Sequence, residues 1–350
     1  MNKVVDEFSG RIKDLIQYSK IPIEKKLIGV YLLVNPKAKR FRRKRTIDNT
    51  IKELENKIMQ TKKESHYRRE IEFQTYITQF SREATYLAKQ IVETQVDYAY
   101  KLFIIAGGDG TYNEIGSGIL EANIQKNDDI RLLHFPSGFG NDITEAKDHT
   151  HIYDLILGSH KTKKVNALRI TDNKENRYYA FNTASLGLDG LVTAFANSFK
   201  KRFGGISYKL ASVLALPFYT GFYRIKTAHI TLYPKNQAKQ EFNNSYLIVL
   251  MGCKGNSTYG HGMKVLPDSN NVCVVEKMNI FKVIKEEGKF YEGLHNELDE
   301  VRFYSCNKLQ FDSKSNFFMQ YDGESKALKK EHFPITLELL KNRLNKIVED

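Results

Sequence analysis

Three largely apolar runs in the first half of the chain predict buried parallel strands. They cover residues 26–34, 102–106 and 130–135, and a strand that is apolar at every position is typical of a parallel sheet covered on both faces. Between the first two runs, residues 46–95 are charged with helical periodicity, so we expect two or three helices covering the sheet. Their apolar stripe comprises Leu54, Ile58, Phe73, Ile77 and Leu87. This half therefore has the pattern of an α/β domain.

After about Gly158 the pattern changes to short alternating segments separated by Gly, Asn and Pro, which is typical of an antiparallel β-rich domain. The predicted strands are residues 228–233, 246–251, 272–275, 301–311 and 317–321. Residues 195–223 predict a helix with an apolar end, whose apolar part is shorter than the roughly 20 residues of a membrane-spanning helix. Residues 1–19 predict a short amphipathic helix without the apolar core of a secretory signal.

Charge and cysteine content narrow the classes of partner and compartment. The net charge of +13 favours phosphate-bearing partners, which are nucleic acids, nucleotides or an anionic membrane surface. The chain has only three cysteines and no Cys-x-x-Cys pair, so neither a disulfide framework nor a zinc site is indicated. A reducing, cytoplasmic compartment fits this composition.

A glycine-rich turn, Gly107-Gly108-Asp109-Gly110-Thr111, follows the second apolar run and precedes a predicted helix over residues 112–121. Glycines let the backbone approach a phosphate, and the N-terminus of the following helix attracts the anion. An aspartate inside such a turn repels phosphate unless a cation lies between them, which makes Asp109 a candidate Mg²⁺ ligand. The alternative is a tight strand-to-helix turn in which Asp109 caps the helix.

A second turn of this design, P-S-G-F-G-N-D at residues 136–142, follows the third run. Two such turns at the ends of neighbouring strands would face one crevice, where a nucleotide binds in an open α/β fold. The sequence has no Gly-x-Gly-x-x-Gly after its first strand and no P-loop. ATP is therefore favoured over a dinucleotide.

Six ordered motifs resemble the diacylglycerol kinase catalytic domain family, which includes soluble bacterial lipid kinases, eukaryotic diacylglycerol kinases, sphingosine kinases and ceramide kinases. They are N-P (35–36), G-G-D-G-T-Y-N-E (107–114), P-S-G-F-G-N-D (136–142), F-N-T-A-S-L-G-L-D (181–189), G-N-S-T-Y-G-H-G-M-K-V-L-P-D (255–268) and D-G-E (322–324). NAD kinases share the Gly-Gly-Asp-Gly-Thr part of the second motif, but they lack the P-x-G-x-x-N-D turn.

The resemblance implies a fold and a division of the chain. The fold is an α/β nucleotide-binding domain with the three-layer arrangement of NAD and diacylglycerol kinases, plus a β-sandwich-like second domain, with ligands in a cleft between them. The expected segments are an N-terminal helical extension (1–23), the ATP-binding domain (24–160), the lipid-binding domain (161–330) and a C-terminal segment that returns towards the first domain (331–350).

The resemblance also implies roles for individual residues. Asn35 would help to hold the nucleoside, and Arg40 would replace a lysine of the family. Asp109 and Asp142 would act through Mg²⁺, and Asp322 would be the general base, with Glu324 supporting the metal or orienting Asp322. The phosphates would be held by Gly107, Gly108, Gly110, Thr111, Ser137, Gly138, Gly140 and Asn141. Taken without the resemblance, Asp-Gly-Glu at 322–324 is more typical of a surface turn at the end of residues 317–321.

The chain departs from the family pattern at four places. Phe139 stands where the family usually has Thr, Ala38 where the first turn has Gly, and Asn166 where bacterial relatives have Asp. Residues 267–271 lack the second acidic residue of relatives that bind a structural Mg²⁺. These departures leave open an alternative function, a catalytically impaired regulator that binds nucleotide or lipid.

Seven of the nine residues 37–45 are basic, and this basic segment would contact ATP phosphates or an anionic leaflet; a solvated loop is the alternative. No recognition-helix or aromatic-platform pattern supports nucleic acid as a partner. The leading hypothesis is therefore a cytoplasmic, peripherally membrane-associated kinase, dependent on ATP and Mg²⁺, that converts diacylglycerol to phosphatidic acid. A sphingoid base or ceramide as acceptor stays open, and so does a homodimer.

Overall fold

The computed structural model of the chain describes residues 2–20, 28–65, 68, 71–95, 100–122, 124, 129–137, 149–158, 161–203, 215, 227–259 and 262–349. The chain divides into two compact units. The N-terminal unit comprises Met1–Val165 and Asn342–Asp350, and the C-terminal unit comprises Asn166–Lys341. The first is α/β and the second is β-rich, which confirms the predicted fold class.

The N-terminal unit is built on a parallel sheet. Its described helices are α1 (Asn2–Ile16), α2 (Lys39–Arg42), α3 (Lys44–Glu64), α4 (Glu83–Thr94), α5 (Asp109–Glu121) and α6 (His149–Leu157). Its strands are β1 (Ile28–Val34), β2 (Glu72–Ile77), β3 (Tyr100–Gly107) and β4 (Asp129–Pro136). The strand order is β2-β1-β3-β4, and the end of β17 (Ile335–Val348) continues the sheet in parallel beside β4.

Helices cover this sheet on both faces. Alternate strand residues such as Val30 and Leu102 join α1, α3 and α6 in one apolar core. The residues between them, such as Tyr31 and Phe103, are also fully buried, and their rings lie 5.5 Å apart. α5 packs against β3 and against α4. These layers explain why the three strands are largely apolar.

The predicted helical stripe of residues 46–95 is wrong in its middle. Leu54 and Ile58 are buried on α3 as expected, but Phe73 and Ile77 lie on β2, which pairs with β1 along its whole length. The spacing of four residues fits one face of a helix, and it equally fits one face of a strand with a period of two. The pattern therefore did not distinguish the two structures.

The C-terminal unit is a β-sandwich with two described helices, α7 (Leu188–Phe203) and α8 (Ile280–Glu292). Its strands are β5 (Lys161–Thr171), β6 (Arg177–Ala180), β7 (Thr183–Gly187), β8 (Thr227–Tyr233), β9 (Gln240–Gly252), β10 (Ser257–Tyr259), β11 (Met263–Leu266), β12 (Val272–Glu276), β13 (Val301–Tyr304), β14 (Lys308–Asp312), β15 (Phe317–Tyr321) and β16 (Glu324–Leu328). The first sheet has the order β6-β5-β17-β14-β8-β9 and the second β16-β15-β7-β9-β12-β13, with β10 and β11 as a separate pair.

The long strand β9 belongs to both sheets of the sandwich. Its first half pairs with β8 and its second half with β7 and β12. Side chains from the two sheets, such as Ile230 and Met319, meet in one apolar core, and α7 covers the outer face of the second sheet through Leu191 and Val192. Among the described helices, none combines the length and apolarity needed to cross a bilayer.

Candidate active site

The turn after β1 is tied to the turn after β3 by Asn35. Its backbone N–H donates to the Ala106 carbonyl at 2.9 Å. Its side-chain oxygen accepts from the Lys37 N–H at 3.0 Å, and its side-chain nitrogen donates to the Thr111 hydroxyl at 3.0 Å. Asn35 therefore holds its own turn in shape and joins it to the glycine-rich turn.

The glycine-rich turn opens directly into α5. Gly108 is the N-cap residue and Asp109 is the first helical residue, so the alternative in which Asp109 caps the helix is wrong. The first helical hydrogen bond runs from Tyr112 N to Gly108 O at 3.1 Å, and the N–H groups of the preceding turn therefore have no acceptor within the helix. Gly110 is exposed and Thr111 is buried. The arrangement suits an anion at this helix N-terminus.

The turn after β4 is tied to both of the other turns through Ser137. The Ser137 N–H donates to the Gly107 carbonyl at 2.9 Å, and the Ser137 carbonyl accepts from the Arg40 N–H at 3.1 Å. The Ser137 hydroxyl donates back to the Phe135 carbonyl at 3.2 Å and is buried. Three turns at the carboxyl ends of β1, β3 and β4 thus form one hydrogen-bonded group.

The side chain of Arg40 lies in the interior of the unit. Its guanidinium donates to the Thr50 hydroxyl at 2.7 Å and lies 5.6 Å from the centre of the Phe135 ring. Burial lowers the pKa of Arg40, while Tyr153 and Glu53 act in the opposite direction. These contacts give Arg40 a structural role in the N-terminal unit, and its predicted contact with ATP stays a prediction.

Several of the predicted site residues lie outside the described part of the chain. They are Gly138, Gly140, Asn141 and Asp142, together with Phe139. The predicted phosphate contacts of the second glycine-bearing turn and its magnesium ligand therefore stay predictions.

Asp322 and Gly323 form the two-residue turn between β15 and β16. Their φ angles are 45° and 83°, and Tyr321 pairs with Glu324 across the turn. Positive φ at both central residues is the requirement of a type I′ hairpin turn, for which Asp-Gly is a preferred sequence. The Gly323 N–H donates to Gln320 Oε1 at 3.3 Å, and its carbonyl accepts from Asn197 Nδ2 at 3.0 Å. The turn is therefore fixed from two sides.

The Asp322 carboxylate accepts three backbone hydrogen bonds from the F-N-T part of the fourth motif. Oδ2 accepts from Phe181 N at 2.6 Å, and Oδ1 accepts from Asn182 N at 3.0 Å and Thr183 N at 3.2 Å. Asp322 is half-buried, whereas Glu324 is exposed. The predicted surface turn is thus present, but its aspartate is oriented by the backbone. Sequence reasoning did not find these donors, because backbone N–H groups are the same for every residue except proline.

Asn166 supports the same region through a chain of hydrogen bonds. Its Nδ2 donates to the Cys253 carbonyl at 2.9 Å, and the Cys253 N–H donates to the Asn182 carbonyl at 2.8 Å. A carboxylate in place of Asn166 could not donate the first of these bonds. Burial raises the pKa of the Cys253 thiol well above its usual value, with a further contribution from Asp322, so Cys253 is a neutral thiol.

Residues 267–271, where the resemblance indicates that an acidic residue is missing, are held by their own hydrogen bonds. The exposed Asp268 accepts from Asn270 N at 2.8 Å and from Asn270 Nδ2 at 3.0 Å. The buried Asn271 side chain donates to the Cys306 carbonyl at 3.0 Å. Within the described ranges, no cluster of three acidic, histidine or cysteine side chains suits a metal ion.

We expect Gly107→Ala to loosen the joined turns. A Cβ at Gly107 would lie 2.5 Å from the Thr111 Cβ and hydroxyl, so Thr111 would have to move away from Asn35. Forcing a side chain into this space should destabilise the fold by about 1–3 kcal/mol, which thermal unfolding would measure. The matched control is Gly10→Ala on α1, where a Cβ meets nothing within 4 Å and should stabilise the helix slightly. Unchanged stability of the Gly107 variant would contradict the packing argument.

Comparison with known proteins gives matches along most of the chain. Residues 29–149 match the "Diacylglycerol kinase catalytic domain", and residues 182–345 match the "YegS C-terminal NAD kinase beta sandwich-like domain". A Bacillus subtilis protein named "Putative lipid kinase YtlR" is 26% identical over 276 residues, which cover 73% of this chain and 84% of that protein. A "Diacylglycerol kinase" of Staphylococcus epidermidis is 25% identical over 261 residues, covering 72% of this chain and 76% of the relative.

A crystal structure of a diacylglycerol kinase from Bacillus anthracis has the same fold. The likeness covers 93% of this chain and 98% of that one, with a TM-score of 0.57 and 15% sequence identity. The two matched domains coincide with the α/β unit that carries the joined turns and with the β-sandwich that carries Asp322. The N-terminal unit therefore carries a diacylglycerol kinase catalytic domain and the C-terminal unit a YegS-type β-sandwich-like domain, and at the level that its relatives support the chain is a lipid kinase.

Proposed function

We propose that this protein uses ATP and Mg²⁺ to phosphorylate the hydroxyl of a diacylglycerol-like membrane lipid, with phosphatidic acid as the product. The observation that carries the proposal is the joining of three turns at the carboxyl ends of β1, β3 and β4 by the bonds of Asn35 and Ser137. A nucleotide site in an open α/β sheet lies at this edge. The named activities of its relatives supply the acceptor class.

The N-terminus of α5 fits a nucleotide phosphate. Its first-turn N–H groups have no intrahelical acceptor, and the positive end of the helix dipole favours an anion there. Asp109 stands in that first turn, and its negative charge is compatible with a phosphate when a divalent cation lies between the two. ATP would supply the phosphoryl group, and Mg²⁺ would neutralise part of the negative charge on the phosphates.

Asp322 would act as the general base. Its carboxylate would accept the proton of the lipid hydroxyl as the hydroxyl oxygen bonds to the γ-phosphorus of ATP. The bond from that phosphorus to the bridging oxygen would break at the same time, and ADP would leave. The three backbone N–H groups at 181–183 fix the orientation of this carboxylate, so little reorganisation would be needed on reaction. Positioning of this kind is the main contribution a protein makes to phosphoryl transfer.

The basic segment, residues 37–45, would hold the protein at an anionic membrane surface. Arg42 and Arg43 directly precede α3, Lys44 and Arg45 begin it, and all four are exposed. The first turn of α3 contains no acidic residue, and the N-cap residue, Arg43, makes no side-chain capping bond. Cations at a helix N-terminus oppose the helix dipole, so this sequence costs stability in the free protein and favours an anionic partner.

Replacing Lys44 and Arg45 by glutamate should weaken binding to vesicles that contain phosphatidylglycerol. Each basic residue near an anionic surface contributes about 1 kcal/mol, so the double charge reversal should lower the partition coefficient at least about 30-fold. The same change should raise thermal stability, because it places acids in the first turn of α3. Vesicle sedimentation and thermal unfolding measure the two effects.

The matched control is the same charge change in the last turn of α3, Lys62→Glu with Lys63→Glu, where both lysines are exposed. This variant should lower stability and retain more vesicle binding than the first. Equal losses in both variants would show that net charge matters and that the basic segment has no special part.

The proposed activity is tested with purified protein, radiolabelled ATP, Mg²⁺ and mixed micelles that carry one lipid alcohol at a time. Labelled phosphatidic acid from diacylglycerol micelles is the expected result. If sphingosine or ceramide were labelled instead, the protein would still be a lipid kinase, but with a different acceptor from the one proposed. If no lipid were labelled above the level of an Asp322→Asn control, the proposal would fail.

A catalytically impaired regulator is the second candidate, and the position of Arg40 favours it. The residue that would replace the family's lysine donates to Thr50 and is buried beside Phe135. If this protein bound nucleotide or lipid in calorimetry but transferred no phosphate in the micelle assay, this second function would be supported.

A further inference from the structure

The Gly107 carbonyl accepts two hydrogen bonds, one from His134 within β4 and one from Ser137 directly after β4. The Ser137 N–H donates to it at 2.9 Å, and the His134 ring nitrogen Nε2 lies 3.1 Å from it. Gly107 is the last residue of β3 and is paired with Pro136 of β4. Both lone pairs of this oxygen are therefore used at the point where the two candidate phosphate turns meet.

His134 is the donor of the second bond. It is only 3% exposed, and burial lowers its pKa to about 4, with a smaller contribution from the nearby Lys346 charge. The ring is therefore neutral, and because a carbonyl only accepts, the proton is on Nε2. The other nitrogen, Nδ1, has no hydrogen-bond partner among the described residues. The ring centre lies 5.5 Å from that of Tyr112 in the first turns of α5.

Neither packing nor hydrogen-bond satisfaction requires a histidine here. An apolar side chain would avoid the free-energy cost of burying Nδ1 without a partner, and the Ser137 N–H alone already satisfies the Gly107 carbonyl. The additional bond from His134 fixes the direction of the Gly107 carbonyl. It therefore also fixes the peptide plane that leads into Gly108 and α5.

We propose that His134 is a positioning residue for nucleotide binding, which holds the turn after β3 in register with the turn after β4 through the Gly107 carbonyl. The inference rests on the proposed function for its ligand, and on the geometry of the free protein for its mechanism. It predicts that nucleotide affinity depends on a hydrogen-bond donor at this position more than on the imidazole ring itself.

The test compares His134→Leu, which removes the donor, with His134→Gln, which can keep it. The matched control is His295→Leu, because His295 is also fully buried and its Nε2 lies 3.2 Å from the Val265 carbonyl in the C-terminal unit. Two readouts are used, hydrogen exchange at residues 107–112 and 137 in the free protein, and the Kd of magnesium-bound ATP by calorimetry. Circular dichroism confirms that each variant is folded.

The expected result is faster exchange at both turns and a Kd raised about three- to tenfold in His134→Leu, with recovery in His134→Gln and no change in His295→Leu. Unchanged exchange in His134→Leu, or an equal loss of affinity in the His134→Leu and His295→Leu variants, would overturn the inference. If the wild-type protein bound no nucleotide, the proposed function would fail, while faster exchange in His134→Leu alone would still support the positioning role.

Discussion

Asp322→Asn should lower lipid phosphorylation by about 10²–10⁴-fold, the usual contribution of a general base. The amide cannot take a proton from the lipid hydroxyl. It also cannot accept the Phe181 N–H and both other bonds at once, because the side-chain nitrogen replaces one acceptor oxygen. The expected loss appears in kcat, measured with saturating ATP and diacylglycerol micelles.

Because Asp322 also has a structural role, its variant needs a stability measurement beside the assay. One backbone donor left without a partner costs about 1–3 kcal/mol, so a modest fall in melting temperature is expected. The assay is therefore run well below that temperature, with Asp312→Asn, an exposed aspartate on β14, as control. If Asp322→Asn kept more than a tenth of the wild-type kcat while folded, Asp322 would be a structural residue and not the base.

The buried strands of the N-terminal unit could be predicted because their environment leaves a simple pattern. β3 and β4 extend the predicted runs by only one or two residues at each end, since both faces of the sheet are covered and most side chains are apolar. The Asp322-Gly323 turn could also be predicted from the sequence, because few residue pairs tolerate two successive positive φ angles.

Strands that are partly exposed were harder to predict. β2 lies at the edge of its sheet, and its residues are half-buried or exposed, so nothing distinguished it from the surrounding helices. β17 is 14 residues long and carries exposed polar residues in its middle. No strand is predicted there from the pattern of apolar and polar positions. Its first part pairs with β14 and its last part with β4, so no single face of this strand is buried throughout.

The candidate site was predictable in its residue types and not in its connections. The glycine-rich turn and Ser137 follow from motifs, but the bond from Asn35 to Thr111 spans 76 positions, and that from Phe181 to Asp322 spans 141. Such contacts are set by the tertiary fold, and a single sequence contains no signal for them. His134 was passed over for the same reason, since a lone histidine in an apolar strand carries no motif.

Asp109→Asn should weaken nucleotide binding when magnesium is present and should not weaken it when magnesium is absent. With Mg²⁺ present, loss of the carboxylate should raise the Kd of ATP about tenfold or more, because the cation loses a charged ligand. With EDTA present, the same change should leave the Kd unchanged or lower it, because a negative charge beside the phosphates is removed. Calorimetry under the two conditions measures both values.

The dependence of the change in Kd on magnesium distinguishes a magnesium ligand from a residue that only shapes the turn. Asp109 is the first residue of α5, where a negative charge stabilises the helix by about 0.3–1 kcal/mol, so a purely structural role would weaken ATP binding equally in both conditions. Glu121→Gln, an exposed change in the last turn of the same helix, removes the same charge away from the site and should leave both Kd values unaltered. Equal weakening of the Asp109 variant with magnesium and with EDTA would exclude Asp109 as a metal ligand, and phosphate binding at this turn would then depend on the backbone of α5 alone.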